Sequence, residues 1–168
     1  MAQEDSNTAR AGSKVDPCYS TVEYFSDPQR HSEDADFKAD NFLKVFLRST
    51  RLNNLKVSSI ADVGCGSGDI VKRIAESLRI SGFNLEKIRG YDVSPHVRNI
   101  RHAGVEFIFG GFCESEDFVD VATLFDVFEH VPDTIGFTKA VAERCRVIGF
   151  HIPLDYSINV AIRDMFHA

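Results

Sequence analysis

Ser59-Ile60-Ala61-Asp62-Val63-Gly64-Cys65-Gly66-Ser67-Gly68-Asp69-Ile70-Val71 is an apolar run that meets three glycines on alternate positions, with a helical pattern directly behind them. Glycine accepts positive φ and lets a ligand approach the backbone where a Cβ would obstruct it. A strand, a tight glycine turn and a helix N-terminus in that order form a nucleotide-type binding site. A tight turn that binds nothing is the plain alternative.

The glycine spacing narrows the ligand. A dinucleotide loop reads G-x-G-x-x-G, the third glycine packing the helix close beside the pyrophosphate. Counted from Gly64, that third position is Asp69, and no Lys or Arg stands between 60 and 71. A carboxylate beside a pyrophosphate repels it. With Asp62 ahead of the first glycine, the loop is acidic at both ends and suits an adenosine ligand without phosphate, preferably a cationic one. S-adenosylmethionine, with its sulfonium and ammonium groups, meets that description.

Composition sets the outer bounds. A chain of 168 residues, 43% hydrophobic and 26% charged, suits one globular domain. A net charge of −6 argues against a general phosphate-binding surface, so no nucleic-acid partner is expected. No apolar run reaches the ~18 residues of a membrane span, and the polar N-terminus lacks a signal-peptide core. Cys18, Cys65, Cys113 and Cys145 form no CxxC pair, so reduced thiols and a cytoplasmic location are expected. Cys65, inside the loop, reads as a packing residue.

Periodicity organises the rest. Residues 1–16 read as a disordered tail, and 17–56 as an N-terminal capping segment and helix. Tyr19, Tyr24 and Phe25 form a strip that either caps the core or lines a substrate pocket. Phe37, Ala39, Phe42, Leu43, Phe46 and Leu47 give a helical stripe over 34–49, ended by Arg51-Leu52-Asn53-Asn54. Strands are expected over 57–63, 86–93, 105–109, 119–125 and 146–152. Helices are expected over 69–80 and 134–144, with a short one opened by Ser94-Pro95 and an amphipathic one over 157–167. Strands separated by helices imply an α/β fold, a Rossmann-like doubly wound and mainly parallel sheet with helices on both faces. Ligands of such sheets bind beyond the C-terminal strand ends, where Asp62, Asp92, Gly111, Asp126 and Asp155 all fall.

Two of those ends carry chemistry. Asp92, closing the second strand, can accept from both ribose hydroxyls, with Val93 against an adenine face; a helix-capping carboxylate is the alternative. Phe125-Asp126-Val127-Phe128-Glu129-His130-Val131-Pro132-Asp133 is rich in titratable groups. His130 is a candidate general base, or else a histidine that orders its loop. Asp126, Glu129 and His130 could also hold a divalent metal, although a surface loop explains them equally well, and no metal site is assigned.

The Asp62–Gly68 loop, Asp92 and the Glu129-His130-Val131-Pro132-Asp133 segment, in that order, resemble the class I S-adenosylmethionine-dependent methyltransferases over residues 35–155. The resemblance implies that Asp62, Gly64, Cys65, Gly66 and Gly68 hold the methionine part of the cofactor. It implies that Asp92 binds the ribose, that Val93 and Phe112 flank the adenine, and that Phe125 and Asp126 meet the methionyl end. Val127 to His130 would then face a small-molecule acceptor. Two departures stand out. Gly110-Gly111-Phe112 replaces the usual acid after the third strand, leaving Glu114 as its substitute, and the sequence stops before the antiparallel strand pair that closes the family's sheet. The expectation is therefore a core over 57–168 that is truncated at its C-terminus, with an open sheet edge available for self-association. Rival readings are a non-catalytic domain of the same fold, a metal-assisted RNA or phenol methyltransferase, and a nicotinamide-dependent oxidoreductase.

Overall fold

The computed structural model describes residues 34–152. The expected tail and aromatic strip, Cys18, Asp155 and the helix over 157–167 lie outside the described residues. The first element is helix α1 (Ala35–Asn53), which buries Ala39, Leu43 and Phe46 along one stripe. It runs four residues beyond the expected Ser49 and stops where Asn54 turns left-handed (φ 49°) and donates its N–H to Thr50 O. Asparagine tolerates that conformation better than other side-chain-bearing residues, which makes it an effective stop.

The remaining elements alternate. Strand β1 (Ser59–Val63) leads through the glycine loop to α2 (Asp69–Ile80), whose Val71, Ile74, Ala75 and Leu78 face inward. Strands β2 (Lys87–Asp92), β3 (Glu106–Phe109) and β4 (Val119–Phe125) follow, then α3 (Thr134–Ala142) and β5 (Cys145–His151). The bounds of α2 and β4 match the pattern read from sequence, and the other strands begin or end one or two residues away. After Ser94 the chain forms only a 3-10 turn, Pro95–Asn99, with Ser94 Oγ accepting from His96 N at 3.3 Å. Two more 3-10 turns, Phe112–Glu114 and Phe128–His130, were not expected; at three residues each they are too short to carry a period.

All pairings are parallel and the order is β3-β2-β1-β4-β5. The chain therefore builds outward from β1 to β3, then restarts on the other side of β1 with β4. The crevice at that reversal, above the C-terminal ends of β1 and β4, is where such sheets bind ligands. One core lies between the sheet and α1/α2 and includes Leu43, Phe46, Ile60, Ile74, Leu78, Ile88, Val121 and Phe125. The second lies on the opposite face, where Val141 of α3 joins Val63, Tyr91, Phe112 and Leu124. Helices thus cover both faces. Over β2 the covering is a loop, held by Asp117, which accepts from Arg89 and Tyr91 and pairs with Lys87 at 3.6 Å.

The N-terminal ends of the central strands are tied by Asp120. Its Oδ2 accepts from Ser58 N (2.8 Å), Ser59 N (3.0 Å) and both serine hydroxyls, and its Oδ1 meets Arg146 at 3.2 Å. Burial alone would raise this carboxyl; the Ser58, Ser59 and Arg146 donors outweigh it and hold it below the ordinary range. A depressed folded-state value adds stability above the ordinary carboxylate range that is lost as pH falls through the folded value. Asp120→Asn should lower unfolding stability at pH 7 by about 1–3 kcal/mol and flatten the loss of stability on acidification, as read by urea denaturation at several pH values.

Candidate cofactor site

The glycine loop is shaped by the neighbouring strand. Gly64, Gly66 and Gly68 all take positive φ (76°, 52° and 78°). The amides of Gly64 and Cys65 both donate to Tyr91 O, at 2.8 and 3.0 Å, and the Gly66 amide donates to Asp92 Oδ2 at 2.9 Å. The three glycines serve different neighbours. A Cβ on Gly64 would stand 2.7 Å from Val127 Cγ2, and one on Gly68 would stand 2.5 Å from the Phe107 ring. A Cβ on Gly66 would meet nothing within 4 Å. Gly64 and Gly68 are therefore glycines for packing, and Gly66 is the one that faces open space.

Asp92 lies at the end of β2, as expected, and it clamps the loop as well: its Oδ1 accepts from Ser94 N at 2.7 Å while Oδ2 holds Gly66. A carboxylate at the end of the second strand is of the type that accepts from a ligand diol. Val93, beside it, is 41% exposed and can lie against a flat ring.

Asp62 sits beneath the loop, 2% exposed, with Thr123 Oγ1 donating to its Oδ1 at 2.7 Å. Burial pushes its carboxyl up to about 7; the Thr123 bond works against that shift and the charge of Asp92 adds to it. Cys65 is buried, and burial, then the charges of Asp62 and Asp92, push its thiol well above the usual range. A thiol so held is not a nucleophile, in accord with a packing role.

The other expected contacts rearrange. Phe112 is 1% exposed, its ring edge-on to Tyr91 with centroids 5.2 Å apart. Its side chain belongs to the core, so the adenine-flanking role expected of it is withdrawn; an apolar side chain at a strand end reads the same from sequence in either place. Glu114, expected as the substitute for the adenine-binding acid, is exposed on the turn after Gly111. Phe125 is 6% exposed, edge-on to Phe42 and stacked on His151. Asp126 takes a left-handed backbone (φ 55°) and turns its carboxylate to Lys38 Nζ (2.5 Å) and His151 Nδ1 (2.8 Å). The Asp126 carboxylate is thus engaged by α1 and by the end of β5. Burial would raise Asp126, but hydrogen bonds from Lys38 and His151 outweigh it and hold the carboxyl low.

His130 ends the 3-10 turn after β4, with Nε2 3.9 Å from Glu129 Oε1. Among the described residues no three His, Cys, Asp or Glu side chains come together as a metal-holding group. The carboxylate of Asp126 faces α1 and β5, which separates it from the Glu129-His130 pair. Three contributors to the site were not anticipated: Thr123 under Asp62, Lys38 and His151. Thr123 alone had a sequence signal, as a polar residue inside the otherwise apolar run Val121–Phe125.

The residues present fit a cationic adenosine ligand. Open space stands over Gly66, a carboxylate capable of binding a diol borders it, and an uncompensated buried carboxyl lies below. The raised value of Asp62 has a stability consequence of definite sign. The unfolded chain ionises this group near 3.8 and the folded chain near 7, so the protonated form favours folding at low pH and that advantage is lost as pH rises to about 7. Asp62→Asn should make the protein more stable than the parent at pH 8, by about 1–3 kcal/mol, and shrink the drop in Tm between pH 5 and pH 8.

No curated protein matches the sequence. Solved structures do match the fold. The plantazolicin methyltransferase BpumL, solved in complex with S-adenosylhomocysteine, is 22% identical (TM-score 0.52), over 73% of this chain and 51% of that one. The magnesium protoporphyrin IX methyltransferase of Synechocystis is 13% identical (TM-score 0.54), over 83% of this chain and 65% of that one. An S-adenosylmethionine-dependent methyltransferase of Methanococcus maripaludis, so described provisionally, is 12% identical (TM-score 0.54), over 82% and 64%. The chain spans about half the length of the plantazolicin methyltransferases it matches. A family model described as a methyltransferase domain matches residues 29–157, which contain every strand, the glycine loop and Asp92. The chain therefore belongs to the methyltransferase-domain family, and its fold is that of the class I enzymes.

Proposed function

We propose that the protein is an S-adenosylmethionine-dependent methyltransferase acting on an O, N or C nucleophile of a small-molecule acceptor. The observation that carries this reading is the cradle above β1: Gly66 borders open space, Asp92 stands beside it, and Asp62 lies buried below, bonded to the Thr123 hydroxyl and, among the described residues, to no cation. Such a cradle favours a positively charged adenosine ligand and disfavours a pyrophosphate. Asp62 and the main chain of Gly64, Cys65, Gly66 and Gly68 would hold the methionine part, Asp92 the ribose, and Val93 one adenine face. The bound sulfonium supplies an activated methyl group, and the protein's part is to hold donor and acceptor in line with water excluded.

A net charge of −6 supports a small acceptor over a nucleic acid. A cytoplasmic site of action is supported by the free thiols of Cys65, Cys113 and Cys145. No helix among the described residues is long and apolar enough to cross a membrane.

Titration calorimetry with S-adenosylhomocysteine tests the reading. The intact protein should bind it, and Asp92→Ala should weaken binding about 10–100-fold, because both the diol acceptor and the Gly66 clamp are lost. NADH should give no fluorescence enhancement. Absence of heat with S-adenosylhomocysteine, or equal affinity in Asp92→Ala, would overturn the assignment.

A further inference from the structure

The mechanism above leaves unused one arrangement at the ends of β4 and β5. His151 pairs in register with Phe125, its ring stacks on the Phe125 ring at 5.9 Å, and its Nδ1 lies 2.8 Å from Asp126 Oδ1. Asp126 is fixed in turn by Lys38 at 2.5 Å and by its own amide, which donates to His151 O at 3.1 Å. We propose that the Asp126–His151 pair is the general base of the acceptor site, and that the acceptor's nucleophile is a group still protonated at neutral pH, a hydroxyl or ring N–H. The inference rests on the methyltransferase reading and deepens it.

The chemistry follows from which atoms can donate. A low-lying carboxylate can only accept, so Asp126 Oδ1 requires a proton on His151 Nδ1. The neutral imidazole then carries its lone pair on Nε2, the tautomer in which a histidine can take a proton, and the same carboxylate stabilises the imidazolium that results. Among the described residues, the charged groups facing His151 are Asp126, at the end of β4, and Lys38, on α1; Asp34 stands 3.9 Å behind Lys38.

Position supports the role. Asp126 and Val127 are consecutive; Val127 packs on Gly64 of the cofactor loop, and Asp126 orients His151. One short segment therefore links the two halves of the site. Beside the pair lies a cavity of about 370 Å³ between α1 and β5, lined by Phe42, Phe46, Phe125 and Phe150, with Lys38 and His151 meeting at Asp126. That lining suits an apolar, planar body carrying one ionisable group. In the step, the acceptor's O–H or N–H bond breaks and its proton passes to His151 Nε2. The electron pair so freed bonds the methyl carbon, the C–S pair stays on sulfur, and His151 later releases the proton to water.

The test has two readouts. Ring-nitrogen NMR of the protein at pH 8 should show His151 with its proton on Nδ1, and Asp126→Asn should change that pattern; a proton on Nε2 in the parent would overturn the proposal. With labelled S-adenosylmethionine, substituted phenols and matching benzoates serve as probe acceptors, since a benzoate needs no base. His151→Gln should slow phenol methylation about 10²–10³-fold, most for the least acidic phenols, slow benzoate turnover at least tenfold less than that, and leave S-adenosylhomocysteine affinity unchanged. An equal loss on both acceptor classes, or no loss on phenols, would refute it. Failure of cofactor binding in the parent protein would instead count against the methyltransferase reading.

Discussion

The site depends on a hydrogen-bonded graft of one strand's loop onto the end of its neighbour. Gly64, Cys65 and Gly66 project three consecutive amides, and all three are answered by β2, two by the Tyr91 carbonyl and one by the Asp92 carboxylate. The loop's left-handed turns are therefore not an intrinsic property of a glycine-rich segment; they are held by a register that only the β1–β2 pairing supplies. Gly90 makes the fit possible. A Cβ there would lie 2.8 Å from both Cys65 Sγ and the Phe107 ring, so a larger residue in β2 would push the loop off its acceptors. Asp92 has two tasks in consequence, holding the loop's shape and lining the space that shape creates.

What could be read in advance follows from the range over which each signal acts. The strands and α2 are written in local periodicity, and the glycine loop and Asp92 in a short motif, so all of these were legible in the chain. Phe112 was not, because an apolar residue at a strand end carries the same letter whether it meets a ligand or Tyr91 in the core. The Asp126 partners were hidden for a different reason. Lys38 and His151 lie 88 and 25 residues away in sequence, and only the β4–β5 register and the packing of α1 bring them to one carboxylate. Aspartate at φ 55° is also a local surprise, since a non-glycine residue there gives its neighbours no warning. The reading of residues 125–133 as a unit grouped Asp126 with Glu129 and His130, whereas the backbone turn directs its carboxylate to Lys38 and His151.

Three aspartates show how environment separates groups of one type. Asp120 is answered by serine amides and hydroxyls and by Arg146, and it is held low. Asp126 is partly buried but faces Lys38 and His151, and it too is held low. Asp62 is the most deeply buried, has the Thr123 hydroxyl as its hydrogen-bond donor, feels the charge of Asp92, and rises to about 7. Among the described residues the carboxylates at the N-terminal strand ends and on the β5 side are compensated, and the one under the glycine loop meets no cation.

That asymmetry has a consequence for binding. A carboxyl held near neutrality by burial and by the charge of Asp92 will ionise more readily once a positive charge arrives nearby. A cationic ligand in the cradle would take the place of the proton on Asp62, so part of its affinity would come from relieving a cost already present in the empty fold. A neutral adenosine ligand could make the same ribose and adenine contacts yet leave that cost in place. A cationic group of the ligand, ammonium or sulfonium, could therefore draw part of its affinity from one buried aspartate below the loop.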